Sequence, residues 1–136
     1  MEQPVYNFLG YTLHEVKFKN DFKPNTYVGI SIPQVNFNKN NNQYSMYIRI
    51  STDFSNEESY FIFYSVFQIN DLIWFKGIPD ENTKKSIFFA IVFPFIREKI
   101  FSITSDSNLG LFIPTIDVRM IDFSKELRLI KSHERR

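Results

Sequence analysis

The sequence predicts an α+β domain: a four-stranded antiparallel sheet followed by a long bent helix and a short C-terminal helix, both packed on one face. Three observations carry this expectation. Four segments within residues 11–70 are rich in β-branched and aromatic residues and alternate with period two. A helical pattern then runs from Glu81 to Ser105. Finally, the strands come first and the helices afterwards, which is not the strand-helix alternation of a parallel sheet.

The first strand is expected over Tyr11–Asn20 and the second over Thr26–Asn38. Pro33 cannot donate to a ladder, so it marks an edge, a bulge or an early end. The polar run NKNNNQ, Asn38 to Gln43, is a turn into the third strand, where Tyr44, Met46, Ile48 and Ile50 alternate against Ser45, Tyr47, Arg49 and Ser51. The fourth strand, Glu58–Asn70, has Tyr60, Ile62, Tyr64 and Val66 on one side and Phe61, Phe63, Phe67 and Ile69 on the other. Neither side suits water. After a connection holding Trp74, Phe75, Gly77 and Pro79, Asp80 or Asn82 is placed to cap the helix. Pro94 removes one backbone hydrogen bond inside it and is expected to bend it, since the period resumes through Phe95, Ile96, Lys99, Ile100 and Ile103. SDSNLG ends the helix and PTIDVRMI, from Pro114, reads as extended. Asp122 or Ser124 caps a last short helix with Phe123, Leu127 and Ile130 along one side.

With 136 residues the chain is expected to form one domain, residues 1–136. Aromatic residues make up 18%, mostly sixteen phenylalanines, an excess that needs a destination. The net charge is +1, so no surplus points to nucleic acid or an anionic membrane. The absence of cysteine excludes disulfides and thiolate metal sites and fits a cytoplasmic protein. The start, MEQPVYNFLGYTL, has neither a basic opening nor a signal-length apolar run, so the chain reads as unexported. The longest apolar run, Ile87 to Ile96, is half of the roughly 20 residues a span needs and is closed by Arg97, Glu98 and Lys99. No membrane insertion is expected.

No catalytic or phosphate-binding motif is visible, no enzyme activity is expected and no cofactor is implied. His14, in an alternating strand, reads as a surface spacer, and His133 as part of a frayed tail; neither has a second ligand at metal-binding spacing. Asp106–Gly110 reads as a helix-ending turn rather than a calcium loop.

VFPFIREKI, Val92 to Ile100, resembles the helix motif of the SecB export chaperones, an aliphatic residue followed by Phe-Pro, an aromatic and Arg-Glu, on Phe93, Pro94, Arg97 and Glu98. IPTIDVRMIDF, Ile113 to Phe123, is similar to the family's aromatic-Pro-x-Leu-x-Leu-x-Pro-Val-x-Phe segment, on Pro114 and Phe123. The chain departs from this pattern at Met120, which stands where the family has a second proline, in the longer loop SDSNLGLF, and in lacking the acidity of export-type members. The resemblance implies a cytoplasmic homotetramer, a dimer of dimers, that holds unfolded or pre-export polypeptides without ATP. It offers SecA or, in toxin–antitoxin systems, an antitoxin as further partner.

Burial logic names the client-binding candidates. They are Ile30 and Ile32 of the second strand, Phe61, Phe63 and Phe67 of the fourth, Trp74 and Phe75 in the connection, and Phe123 and Leu127 of the last helix. Because Ile87–Phe93 is apolar on every side, Ile87, Phe88, Ile91 and Phe95 are candidates for a contact between copies of the chain. The alternatives are a dedicated antitoxin chaperone and a SecB-fold adaptor or ligand-binding protein without holdase activity.

Overall fold

Strands with two different faces decide the layering of the molecule. A computed structural model describes residues 3–17, 27–51, 60–105, 111–112, 128–131 and 133–134. The strands are β1 (Tyr6–Lys17), β2 (Tyr27–Asn38), β3 (Gln43–Ser51) and β4 (Tyr60–Ile69), followed by the helices α1 (Leu72–Lys76) and α2 (Glu81–Ser105). Short strands β5 (Leu111–Phe112), β6 (Arg128–Lys131) and β7 (His133–Glu134) complete the described chain. The main sheet is antiparallel with order β1-β4-β3-β2-β6, and β5 pairs with β7.

The β2–β3 hairpin follows from its turn chemistry. Asn42 takes the left-handed conformation with φ 57°, which asparagine tolerates better than most residues. Asn38 and Asn41 accept bonds from the backbone N–H groups of Asn40 and Gln43, at 2.9 and 3.2 Å. Pro33 sits where the register shifts between Ser31 and Gln34, so its missing donor falls at a bulge.

The core forms on one side of the sheet. Tyr44, Met46, Ile48 and Ile50 of β3 join Phe61, Phe63, Phe67 and Ile69 of β4, all buried, and α2 packs on this face through Phe88, Phe89, Val92, Phe93, Ile96 and Ile100. The buried positions of α2 recur at four-residue intervals, which keeps them within one arc of a helix that turns 100° per residue. Phe88 is the hub, its ring centroid 4.7 Å from Phe67, 4.9 Å from Tyr44 and 5.5 Å from Tyr6.

Pro94 lies within α2, which runs through it without ending. Pro94 and Ala90 are both exposed, so the helical hydrogen bond that the proline removes belongs to the outward side of α2. Asp80, rather than Asn82, supplies the cap: its carboxylate accepts from Thr83 N–H at 2.7 Å.

Four expectations are corrected. First, β1 begins at Tyr6, five residues before the sequence pattern predicts, because the isolated Gly10 masked the alternation of Tyr6 and Phe8. Second, the connection after β4 contains α1, whose start is capped by the Asp71 carboxylate accepting from Trp74 N–H at 3.0 Å. Third, Arg128–Lys131 is a fifth strand on the outside of β2, with Ile130 opposite Val28, and not part of a C-terminal helix. Apolar spacing over so few residues fits helix or strand, and backbone pairing with β2 decides for the strand. Fourth, His133 pairs with Phe112 in the β5–β7 ladder rather than fraying. The expectations at 18–20, 58–59, Asp106–Gly110, Pro114, Asp122, Phe123, Ser124 and Leu127 fall outside the described residues.

Candidate functional site

Most of the sequence-predicted client residues lie beneath α2. Ile30, Ile32, Phe61, Phe63, Phe67 and Phe75 are buried in the core, and Trp74 is half-buried beside Tyr6 and Phe88. Phe88, a candidate for the contact between copies, is also wholly interior, whereas Ile87 and Ile91 are half-buried and Phe95 is 45% exposed. Arg97 lies with its guanidinium 5.8 Å from the Phe93 ring, and Glu98 is exposed.

The other face of the sheet is built from the alternate residues of the same strands. In β4 these are Tyr60, Ile62, Tyr64 and Val66, each only partly buried. Tyr47 stands opposite Tyr64 across the β3–β4 ladder with ring centroids 4.9 Å apart, and His14 meets Tyr47 edge-on at 5.1 Å. The Arg49 guanidinium lies 4.5 Å from the Tyr60 ring centroid. Cross-strand aromatic pairs stabilise a sheet by roughly 0.2–1 kcal/mol each, so the ladder contributes to holding its own strands together. This aromatic face was legible in the alternation of β4; which face α2 covers was not.

At the edge of this face lies an open groove of about 400 Å³, lined by Leu9, Gly10, Tyr11 and Thr12 of β1 and by Tyr64 and Val66 of β4. Gly10 has φ +139°, a conformation L side chains rarely adopt, and among the described residues nothing beyond its two chain neighbours lies within 4 Å of where its Cβ would stand. The register shifts between Phe8 and Gly10, and Leu9 is 53% exposed there. Sequence reasoning missed Leu9, Gly10 and Thr12. The available signal was a lone glycine inside a strand pattern, which marks a bulge or a close approach.

Further apolar surface lies elsewhere: Ile73 of α1 is 87% exposed and Val16 of β1 44%. The outward side of α2 shows Ala90, Pro94 and parts of Ile87 and Ile91. Burial, and then a 2.8 Å hydrogen bond to Glu81 Oε1, raise the Tyr44 phenol above its ordinary range, which keeps it neutral as a pin between β3 and the start of α2. Among the described residues no three His, Cys, Asp or Glu side chains gather as a metal site would require. No helix among them is long and apolar enough to cross a membrane. Among the described residues this face offers aromatic and aliphatic contact, with the edge strand β1 beside it.

No protein family, curated protein or solved structure matches this chain.

Proposed function

We propose that the protein is an ATP-independent, SecB-like holdase that keeps unfolded or pre-export polypeptides from aggregating by holding their apolar and aromatic segments. One observation carries this reading. The sheet is apolar on both faces, and among the described residues α2 packs on only one of them, leaving Tyr47, Tyr60, Ile62, Tyr64 and Val66 on the other. A patch of about 300–600 Å² is the most a typical monomer leaves open, and it is often functional. At about 25 cal/mol per Å² such a patch supplies on the order of 10 kcal/mol gross, mostly offset by association and by ordering an unfolded client. Contacts of this kind are weak and tolerant of sequence, which suits a chain-holding protein, and several linked copies strengthen them through effective concentration. The partly exposed Ile87, Ile91 and Phe95 of α2 support a contact between copies on that side. The resemblance of Val92–Ile100 to the SecB helix motif points the same way.

The test is aggregation of a chemically denatured model enzyme, followed by light scattering without nucleotide. Stoichiometric protein is expected to suppress it, and Tyr47→Ser with Tyr64→Ser to weaken the suppression. No suppression at several-fold molar excess removes the reading.

A further inference from the structure

We propose that Tyr47 and Tyr64 form an oxidative modification site, at which peroxide chemistry joins their rings by a carbon–carbon bond across β3 and β4. The inference goes beyond the holdase reading and does not depend on it.

Position is the first observation that carries it. Tyr47 and Tyr64 are direct partners in the β3–β4 register, so their side chains leave the same face of the sheet from neighbouring strands. Their ring centroids are 4.9 Å apart and the ring planes are inclined at 55°. Two phenol rings bonded through the carbons next to their hydroxyls lie edge to edge and twisted, because the hydroxyls crowd each other in a flat arrangement. The observed pair is therefore near the linked geometry before any bond forms.

Access is the second. Both tyrosines are half-buried rather than enclosed, and they stand on the face opposite the one on which α2 packs. Whatever pairs with the edge of β1 leaves them unaffected, since β3 and β4 are interior strands of the sheet.

Selectivity is the third. Tyr6, Tyr11 and Tyr44 pack on the core side against Phe and Trp rings, which have no phenol to couple. Tyr60 shares the open face but lies four residues along β4 from Tyr64, about 13 Å away, with Ile62 between them. Thiols and thioethers are the usual sinks for peroxide, yet the chain has no cysteine and Met46 is wholly buried. The single tryptophan, Trp74, stands on the core side beside Tyr6 and Phe88.

The step balances as follows. Each phenol gives up one electron and its hydroxyl proton and becomes a phenoxyl radical, whose unpaired electron is shared with the ring carbons beside the oxygen. The two radicals pair these electrons in a new bond between such carbons. The hydrogen on each bonded carbon then leaves it and a proton returns to each oxygen, restoring both hydroxyls. Hydrogen peroxide, activated by a haem peroxidase, takes up the two electrons and two protons and leaves as two waters. The chain ends two hydrogens lighter. The bond closes the chain between β3 and β4 into a loop, which restricts the unfolded state more than the folded one.

The test treats the full chain at micromolar concentration with a haem peroxidase and hydrogen peroxide. We expect dityrosine fluorescence, a product at the mass of one chain less two hydrogens under denaturing conditions, and a proteolytic fragment in which Tyr47 is joined to Tyr64. Tyr47→Phe and Tyr64→Phe are each expected to abolish that product, and Tyr60→Phe to leave it. Phenylalanine keeps the ring, so these variants retain the packing of the face. The urea midpoint of the linked protein, followed by circular dichroism, is expected to rise.

No link, a link only between two chains, or a link mapped to other tyrosines overturns the proposal. A lowered midpoint also overturns it, because it would mean that the bond pulls the strands out of their register. The fragment map is read on the unaltered chain, so it decides the matter even if a variant does not fold.

Discussion

Replacing Ser65 by alanine should make this protein more stable. Ser65 lies on the core face of β4 between Phe63 and Phe67, with Tyr11 and Met46 as its cross-strand neighbours. It is 0% exposed, and its hydroxyl finds no hydrogen-bond partner. In the unfolded chain that hydroxyl is hydrated, so folding strips it of water for nothing, at about 1–3 kcal/mol. Alanine removes the cost and leaves only an oxygen-sized gap. It also has a lower strand propensity, on a scale whose whole range is about 1 kcal/mol. The net expectation is a gain of about 1 kcal/mol, or about 3–5 °C in Tm for a chain of this size. Urea unfolding followed by fluorescence measures it directly, because Trp74 is the only tryptophan and is half-buried against Tyr6 and Phe88. The midpoint should rise at unchanged slope. A loss of 1 kcal/mol or more would refute the reasoning, since it would mean that the hydroxyl is bonded in the folded protein.

Phe88→Ala removes a ring within about 5 Å of both Phe67 and Tyr44 and should cost about 3–5 kcal/mol. Against a total of about 5–15 kcal/mol this leaves a largely unfolded or marginal chain, readable by circular dichroism and denaturant titration. Tyr44→Phe should cost about 1 kcal/mol at neutral pH, because Glu81 is exposed enough to recover water. The folded Tyr44 phenol titrates above its ordinary 10.0, so its contribution is complete below pH 10 and is lost as pH rises beyond it. Tyr44→Phe should therefore flatten the alkaline fall in stability, and an unchanged alkaline limb would contradict the pin. Pro94→Ala restores a donor to the Ala90 carbonyl at an exposed site and should raise Tm, corresponding to about 1–3 kcal/mol. A lower Tm would show that the proline conformation is needed by the packing of α2.

Particular elements show where sequence reasoning reaches. The alternation of Tyr44, Met46, Ile48 and Ile50 and the two-sided pattern of β4 name their own faces, because successive side chains on a strand point opposite ways. The asparagine-rich turn and the Asp80 cap are equally local, since each side chain bonds backbone within three residues of itself. The end of the chain behaves otherwise. Leu129 and Ile130 carry no local instruction to be a strand, and their state is decided by backbone groups of β2 far away in sequence. The candidate site divides in the same way: Phe61, Phe63 and Phe67 read as binding residues from their chemistry, and only the packing of α2 puts them inside.

Taken alone, the amino-acid order determined an α+β chain with four strands, their turns, the long helix and a surplus of aromatic surface. The tertiary structure decided which side of the sheet became interior, that β1 is an edge strand among the described residues, and that the gap at Gly10 opens beside it. The physical reason is range. Alternation and capping act within a few residues, whereas burial of one apolar face rather than another is settled by where a single helix comes to rest, and no local pattern encodes that position.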